Sequence, residues 1–195
     1  MIGKIFITRT GYDPEKGKHL KDPTLGPIPT LGACRPDIRR KVEEGDHIFV
    51  ISGRVPGVAQ YVIVGFEVAQ KIDALAAYRM LPEQRLRRRE DGQLDGNVIV
   101  DVRGRQHPLD THRQDTFEKR IENYVIGRNP IALTTPEEIA RGRAETLDVL
   151  RHVLRKPGNS PIEVVGRFGS ELSENQVMQL REWLFSLKQT TPRPR

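Results

Sequence analysis

The chain has 195 residues, a length typical of one domain with a sizeable hydrophobic core. Its 32 Lys and Arg residues exceed its 26 Asp and Glu residues, which gives a formal net charge of +6. The single cysteine excludes an internal disulfide framework and a zinc site built from cysteines alone. No apolar run approaches the roughly 18 residues of a membrane span, and the first residues lack the long apolar core of a secretory signal. We therefore expect a cytoplasmic protein with no membrane partner.

Short segments rich in apolar and β-branched residues predict a series of strands. They lie at residues 2–8, 47–52, 59–71, 97–102, 124–126, 131–133 and 162–168. Residues 9–36 contain many glycines and prolines, which predicts a long loop instead of a regular element. A loop of this length inside a compact domain often carries function.

Two helices are well marked in the second half of the chain. Thr135, Pro136 and Glu138 form the pattern of a capping box, which begins a helix that Pro157 ends. Ser173 begins the final helix, an amphipathic one. Its apolar face consists of Val177, Leu180, Trp183, Leu184 and Leu187. Shorter helical turns are expected at 37–44 and within 73–89.

The order of these elements predicts the α+β class, because most strands come before the helices and do not alternate with them. We expect a single domain over residues 1–190, with its core at about 1–135 and a C-terminal extension at 136–190. Residues 191–195 are expected to form a flexible tail.

Candidate catalytic groups lie in two places. His107, Asp110, His112 and Asp115 occur within nine residues, where imidazoles and carboxylates can bind a divalent metal or form a base and its orienting partner. Their spacing matches no defined metal motif, so surface and capping roles stay open. Cys34 is either a nucleophile activated by nearby arginines or a small buried residue.

Arginine is the abundant cation, with 23 Arg against 9 Lys. Its planar fork suits phosphate and base edges, and clustered arginine is typical of nucleic-acid binders. The clusters include Arg35, Arg39, Arg40, Arg85, Arg87, Arg88, Arg89, Arg103 and Arg105. Tyr12 is the best candidate for an exposed stacking ring. No glycine-rich dinucleotide or P-loop motif occurs, so we expect no cofactor. We expect no metal site, because the histidine and carboxylate spacing matches no metal motif.

Three segments follow one another in a familiar order: residues 10–14 (TGYDP), 29–40 (PTLGACRPDIRR) and 45–53 (GDHIFVISG). In this order the chain resembles the second and third types of nucleotide-modification-associated domain of bacteria and phages, over roughly residues 4–140. The Gly45-Asp46 turn with its two following strands also resembles PUA-like barrels, including EVE and ASCH domains. His47 departs from the pattern, in which an aromatic residue usually follows the turn.

The resemblance implies a small, strongly bent PUA-like β-barrel with peripheral helices that binds nucleic acid or a modified nucleotide. It also implies a link to DNA modification or phage defence. The arginines Arg35, Arg39, Arg40 and Arg88 would contact phosphate, Tyr12 would stack on a base, and Ser52, Gly53 and Arg54 would line a base pocket. Two alternatives stay open. One is an enzyme acting on a nucleotide or base through Cys34, Asp110, His112 and Asp115, and the other is a subunit that docks proteins on its final helix.

Overall fold

The computed structural model describes residues 2–189 and confirms the α+β class. The strands are β1 (Gly3–Ile7), β2 (Thr30–Leu31), β3 (His47–Ile51), β4 (Val62–Ile72), β5 (Arg87–Arg88), β6 (Leu94–Asp95), β7 (Tyr124–Ala132) and β8 (Ser170–Leu172). The helices are α1 (Pro36–Arg39), α2 (Ala74–Met80), α3 (Phe117–Ile121), α4 (Pro136–Leu154), α5 (Pro161–Val165) and α6 (Glu174–Gln189). Within 2–189, none of these helices has both the length and the apolar composition needed to cross a bilayer.

Six of these strands form one mixed sheet in the order β2-β7-β4-β3-β1-β8, and β5 pairs with β6 in a separate ribbon. The central feature is the parallel pair of β1 and β3, in which Gly3 lies opposite His47 and Ile7 lies opposite Ile51. β4 is antiparallel to β3, and β8 is antiparallel to β1. Because β1 and β3 run in the same direction, the loops that follow them leave the sheet side by side.

The chain folds into two compact units. Among the described residues, the first contains 2–18, Asp46–Glu67 and 130–189, and the second contains His19–Gly45 and Val68–Asn129. Each unit has its own apolar core. In the first the core includes Ile5, Phe6, Phe49, Phe66 and Leu150, and in the second it includes Leu86, Val98, Ile99, Phe117 and Tyr124. The single domain over 1–190 stays a prediction, and residues 190–195 lie outside the described residues.

The capping patterns read from the sequence occur in the structure. The Thr135 hydroxyl accepts the Glu138 amide at 3.2 Å, and the Glu138 carboxylate accepts the Thr135 amide at 3.3 Å. The Ser173 hydroxyl accepts the Gln176 amide at 3.4 Å at the start of α6. These bonds satisfy amides that have no partner in the first helical turn, so α4 and α6 begin where predicted.

Three predicted strands need correction. Residues 162–168 do not form a strand, because Ser160 and Pro161 begin the short helix α5, and the last strand is β8 instead. Residues 97–102 make only isolated bridges, at Val98 and Val100. The two strands predicted at 124–126 and 131–133 are one strand, β7, which continues through Pro130. β2 pairs only with Val125 and Ile126 of β7. Pro130 lies beyond this pairing, so its missing amide hydrogen removes no hydrogen bond to β2.

The apolar face of α6 packs into the first unit. Its Val177, Leu180, Leu184 and Leu187 are at most 1% exposed. Trp183, the fifth residue of the predicted docking face, is half-buried, so four of the five residues are closed to a partner and the docking role stays a prediction.

Candidate functional site

Two loops of the first unit lie against each other at the ends of β1 and β3. The Gly11 amide donates to the Arg54 carbonyl at 2.9 Å, and the Gly53 amide donates to the Tyr12 carbonyl at 2.7 Å. A third bond joins the Thr8 amide to the Ile51 carbonyl at 2.9 Å. The parallel pairing of the two strands thus brings together Tyr12, Gly53 and Arg54, which the sequence predicted separately.

Gly53 permits this close approach of the two loops. A Cβ atom at this position would lie 2.0 Å from the Arg9 carbonyl oxygen and 2.8 Å from that of Tyr12. No real side chain sits that close to backbone oxygen, so either loop would have to move to accept one. Gly53 therefore serves as a spacer between the loops.

Ser52 does not line a pocket. It is fully buried, its hydroxyl accepts the Tyr61 amide at 3.1 Å, and its carbonyl accepts the Gln60 side chain at 2.6 Å. The predicted contact of Ser52 with a base is therefore corrected, because its side chain bonds the start of the next strand instead.

Three cationic residues lie close to Tyr12 along the backbone of these loops. Arg9, Lys18 and Arg54 are exposed, and their side chains make no hydrogen bond or ion pair to any residue in 2–189. Lys18 is brought next to Tyr12 by backbone bridging, and its amide donates to the Gly11 carbonyl at 2.7 Å. Tyr12 itself is half-buried. We call Arg9, Tyr12, Lys18 and Arg54 the twin-loop surface.

Arg143 on α4 anchors the loop that carries Tyr12. Its guanidinium donates to both oxygens of Asp13, at 3.0 and 2.9 Å, and to Glu15 at 3.1 Å. The same group stacks over the Tyr61 ring, 4.5 Å from its centroid. Asp13 is buried and also accepts the amides of the following residues, so the loop is held from within and not by the exposed cations.

We expect the interaction between Asp13 and Arg143 to make the stability of the protein depend on pH. Burial alone would raise the pKa of Asp13, but the Arg143 bonds and two backbone amides outweigh it and hold the pKa below 3.8. The lowered folded pKa means that the stabilisation is fully present above the ordinary carboxyl pKa and is lost as the pH falls through the folded value. The urea midpoint of the wild type should therefore approach that of Asp13→Asn between pH 6 and pH 3.

The control for this titration is Asp148→Asn, which removes an exposed carboxylate paired only with Arg151. Its midpoint should follow the wild type at every pH. A gap between wild type and Asp13→Asn that keeps the same size from pH 6 to pH 3 would show that the Asp13 charge contributes nothing.

The arginines of the second unit differ from one another in their availability. Arg39 is 0% exposed and donates to the carbonyls of Cys34 at 2.8 Å and Arg120 at 3.1 Å. The predicted phosphate contact of Arg39 is wrong, because its guanidinium lies in the interior and donates to backbone oxygens there. Burial lowers the pKa of Arg39 to about 10, against the opposing charge of Asp22, so the group remains charged at neutral pH.

The other predicted phosphate contacts lie at the surface. Arg35 is bonded to Asp37 at 3.0 and 2.7 Å, and Arg88 donates to the Gly92 carbonyl at 2.7 Å. Arg40 is exposed, and its side chain has no partner among the described residues. Of Arg35, Arg40 and Arg88, Arg40 is the one whose guanidinium has no hydrogen bond or ion pair to a described residue.

Cys34 lies beside a buried carboxylate. Asp22 accepts the amides of Gly32 and Ala33 at 2.9 Å each, and it also accepts the Cys34 amide. Burial first, and then the Asp22 charge, raise the pKa of the Cys34 thiol to about 12. Both effects disfavour the thiolate that a nucleophilic cysteine requires, so the nucleophilic role of Cys34 stays a prediction without structural support.

Asp110 and His112 form a close pair. The His112 Nδ1 lies 2.6 Å from Asp110 Oδ1, and Gln106 donates to the other Asp110 oxygen at 2.8 Å. Burial would raise the pKa of Asp110, but these bonds lower it. Asp115 instead pairs with Arg113 on the surface at 2.6 Å. Within 2–189 no three His, Cys, Asp or Glu side chains are grouped so that they can hold a metal ion.

Comparison of the chain with family models, curated proteins and solved structures found no match. The candidate site therefore rests on its geometry. Sequence reasoning missed Arg9, Lys18 and Arg143. The first two lie in the Gly- and Pro-rich stretch outside any arginine cluster, and Arg143 lies 130 residues from Asp13 along the chain.

Proposed function

We propose that the chain binds nucleic acid, or a modified nucleotide within it, through the twin-loop surface. The resemblance of residues 4–140 to nucleotide-modification-associated domains and to PUA-like barrels supports the same ligand class. It also supports a PUA-like identity of the sheet and a role in DNA modification or phage defence.

The state of the arginine charges carries the proposal. Several exposed arginines are already bonded to a carboxylate, as in the pairs Arg87–Asp95, Arg89–Asp91, Arg105–Asp101 and Arg113–Asp115. A phosphate at those positions would have to replace an existing ion pair. Arg9 and Arg54 have no such pair, so a phosphate there adds a charge-assisted bond and releases counterions.

The loops also carry an aromatic residue, Tyr12. Its carbonyl accepts the Gly53 amide, and its side chain makes no hydrogen bond or aromatic ring contact to a residue within 2–189. A base that stacks on such a ring gains on the order of 1–3 kcal/mol, whatever its identity. Arg9 and Arg54 would therefore hold the backbone, and Tyr12 would hold a base.

Removing both arginines tests the proposal. We expect the double variant Arg9→Ala/Arg54→Ala to bind a labelled single-stranded oligonucleotide at least tenfold more weakly at low salt. Its slope of log affinity against log salt should also fall by about 1.4, at roughly 0.7 for each lost phosphate contact. Fluorescence anisotropy over a salt series measures both quantities, with a panel that includes 5-methylcytosine and 5-hydroxymethylcytosine.

The matched control is Arg113→Ala/Arg105→Ala, which removes two exposed arginines that have carboxylate partners. This control should bind like the wild type. If Arg9→Ala/Arg54→Ala also binds like the wild type, the twin-loop surface is not the binding site and the proposal fails.

An enzyme acting on a nucleotide or base is the second candidate function, and the Asp110–His112 pair is the observation that favours it. A carboxylate that orients an imidazole is the arrangement of a general base. Chromatography of the same oligonucleotides after incubation should then reveal a product that His112→Asn fails to form. An unchanged oligonucleotide with the wild type would dismiss this candidate and leave the binding proposal intact.

A further inference from the structure

We infer that the ligand of the twin-loop surface is a short stretch of single-stranded nucleic acid, contacted at about three phosphates and one base. This inference rests on the proposed function and narrows its ligand class. It follows from how many free charges the surface has, from the shape of the elements that carry them, and from the single aromatic ring beside them.

The number of free cations limits the number of phosphates. Arg9, Lys18 and Arg54 are the unpaired cations of this surface, so three phosphates can each find one. The next cation along the loop, Lys16, is paired with Glu15 at 3.1 Å, and Glu15 is itself bonded to Arg143. Because Lys16 is already in an ion pair, it does not add a fourth free cation to this surface.

The elements at this surface do not suit a duplex groove. Direct reading of a major groove uses a helix or a two-stranded ribbon, whereas the twin-loop surface consists of loops that follow β1 and β3. The ribbon that the structure describes, β5 with β6, lies in the second unit. Its Arg87 is bonded to Asp95, and the adjoining Arg89 pairs with Asp91 at 3.4 Å.

A single stacking ring points in the same direction. Tyr12 stacks on a base only if that base is unstacked from its neighbouring bases. Unstacking and unpairing a base costs energy in a duplex, whereas unstacking costs little in a single strand. With three phosphate contacts, little binding energy is available to open a duplex. A single strand, in which bases are already accessible, is the ligand that these residues fit.

The experiment compares three ligands of one sequence: a labelled 12-nucleotide single strand, the blunt duplex that contains it, and the unlabelled nucleoside monophosphates as competitors. The single strand should bind at least tenfold more tightly than the duplex, with a salt slope of about 2, from three contacts at roughly 0.7 each. The monophosphates should compete only at concentrations far above the dissociation constant of the strand.

Two variants separate stacking from charge. Tyr12→Leu should weaken single-strand binding roughly tenfold without changing the salt slope, and Tyr12→Phe, which keeps the ring, should restore it. Lys18→Ala should lower the slope by about 0.7. A role of Tyr12 in folding alone would affect strand and duplex equally, so the ratio of the two affinities distinguishes the cases.

Each other outcome overturns a defined statement. Tighter duplex binding that Arg9→Ala/Arg54→Ala still abolishes would retain the proposed function and overturn the single-strand inference. So would a slope of 5 or more, which requires many more phosphates than this surface can hold. If the monophosphates compete at the same concentration as the strand, the ligand of this surface is a free nucleotide and not a strand. Absence of binding to every nucleic acid would overturn the proposed function itself.

Discussion

Arg39→Ala is expected to lower the free energy of unfolding by about 3–5 kcal/mol, because it leaves buried carbonyl oxygens without a donor. The guanidinium bonds the carbonyls of Ala33, Cys34, Arg120 and Asn123 and thereby joins two segments more than 80 residues apart. Alanine also leaves a cavity where a fully buried side chain stood. Urea unfolding followed by circular dichroism measures the loss.

Arg40→Ala is the matched control, since Arg40 is the next residue and is exposed. Its free energy of unfolding should stay within about 0.5 kcal/mol of that of the wild type. Arg39→Met fills most of the volume but supplies no donor, so it should remain destabilised. A stable Arg39→Met would assign the effect to the cavity, and a stable Arg39→Ala would show that the four bonds contribute little.

Gly53→Ala is expected to cost about 3 kcal/mol of stability and most of the nucleic-acid affinity. The new methyl group would lie 2.0 Å from the Arg9 carbonyl oxygen, which belongs to the backbone and cannot rotate away. One loop must therefore shift, with loss of the Gly53–Tyr12 hydrogen bond and of the positions of Arg9 and Arg54. Thermal unfolding and anisotropy with the single strand measure the two effects.

Gly57→Ala separates local crowding from general loss of a glycine. Gly57 has a φ of +73° with open space around it, so alanine there strains the backbone by about 1 kcal/mol and moves no loop. Its affinity for the strand should be unchanged. If Gly53→Ala binds and unfolds like Gly57→Ala, the close contact of the two loops has no bearing on the ligand.

Local sequence patterns predicted the elements whose causes are local. The capping boxes at Thr135 and Ser173 and the apolar run of β4 correspond to elements in the structure, because neighbouring residues determine them. Residues 162–168 show the limit of this approach. They have strand-forming composition, but Ser160 and Pro161 begin a helix, in which Val164 and Val165 are buried.

The candidate site depends on contacts between distant residues, which a single sequence does not reveal. Arg39 and Arg40 are chemically identical neighbours, and only the fold shows that one is interior and the other exposed. Arg143 and Asp13 meet across 130 residues. Tyr12 and Gly53 were both predicted as functional, yet their contact follows from the parallel pairing of β1 with β3, for which no local pattern exists.

The position of β1 in the sheet also sets an order of events during synthesis. β1 is translated well before one of its two partners, β8, which lies at Ser170–Leu172. All residues of the second unit are translated before β8 exists. For that interval one edge of β1 lacks its strand partner, and an unpaired edge can pair with another copy of the chain.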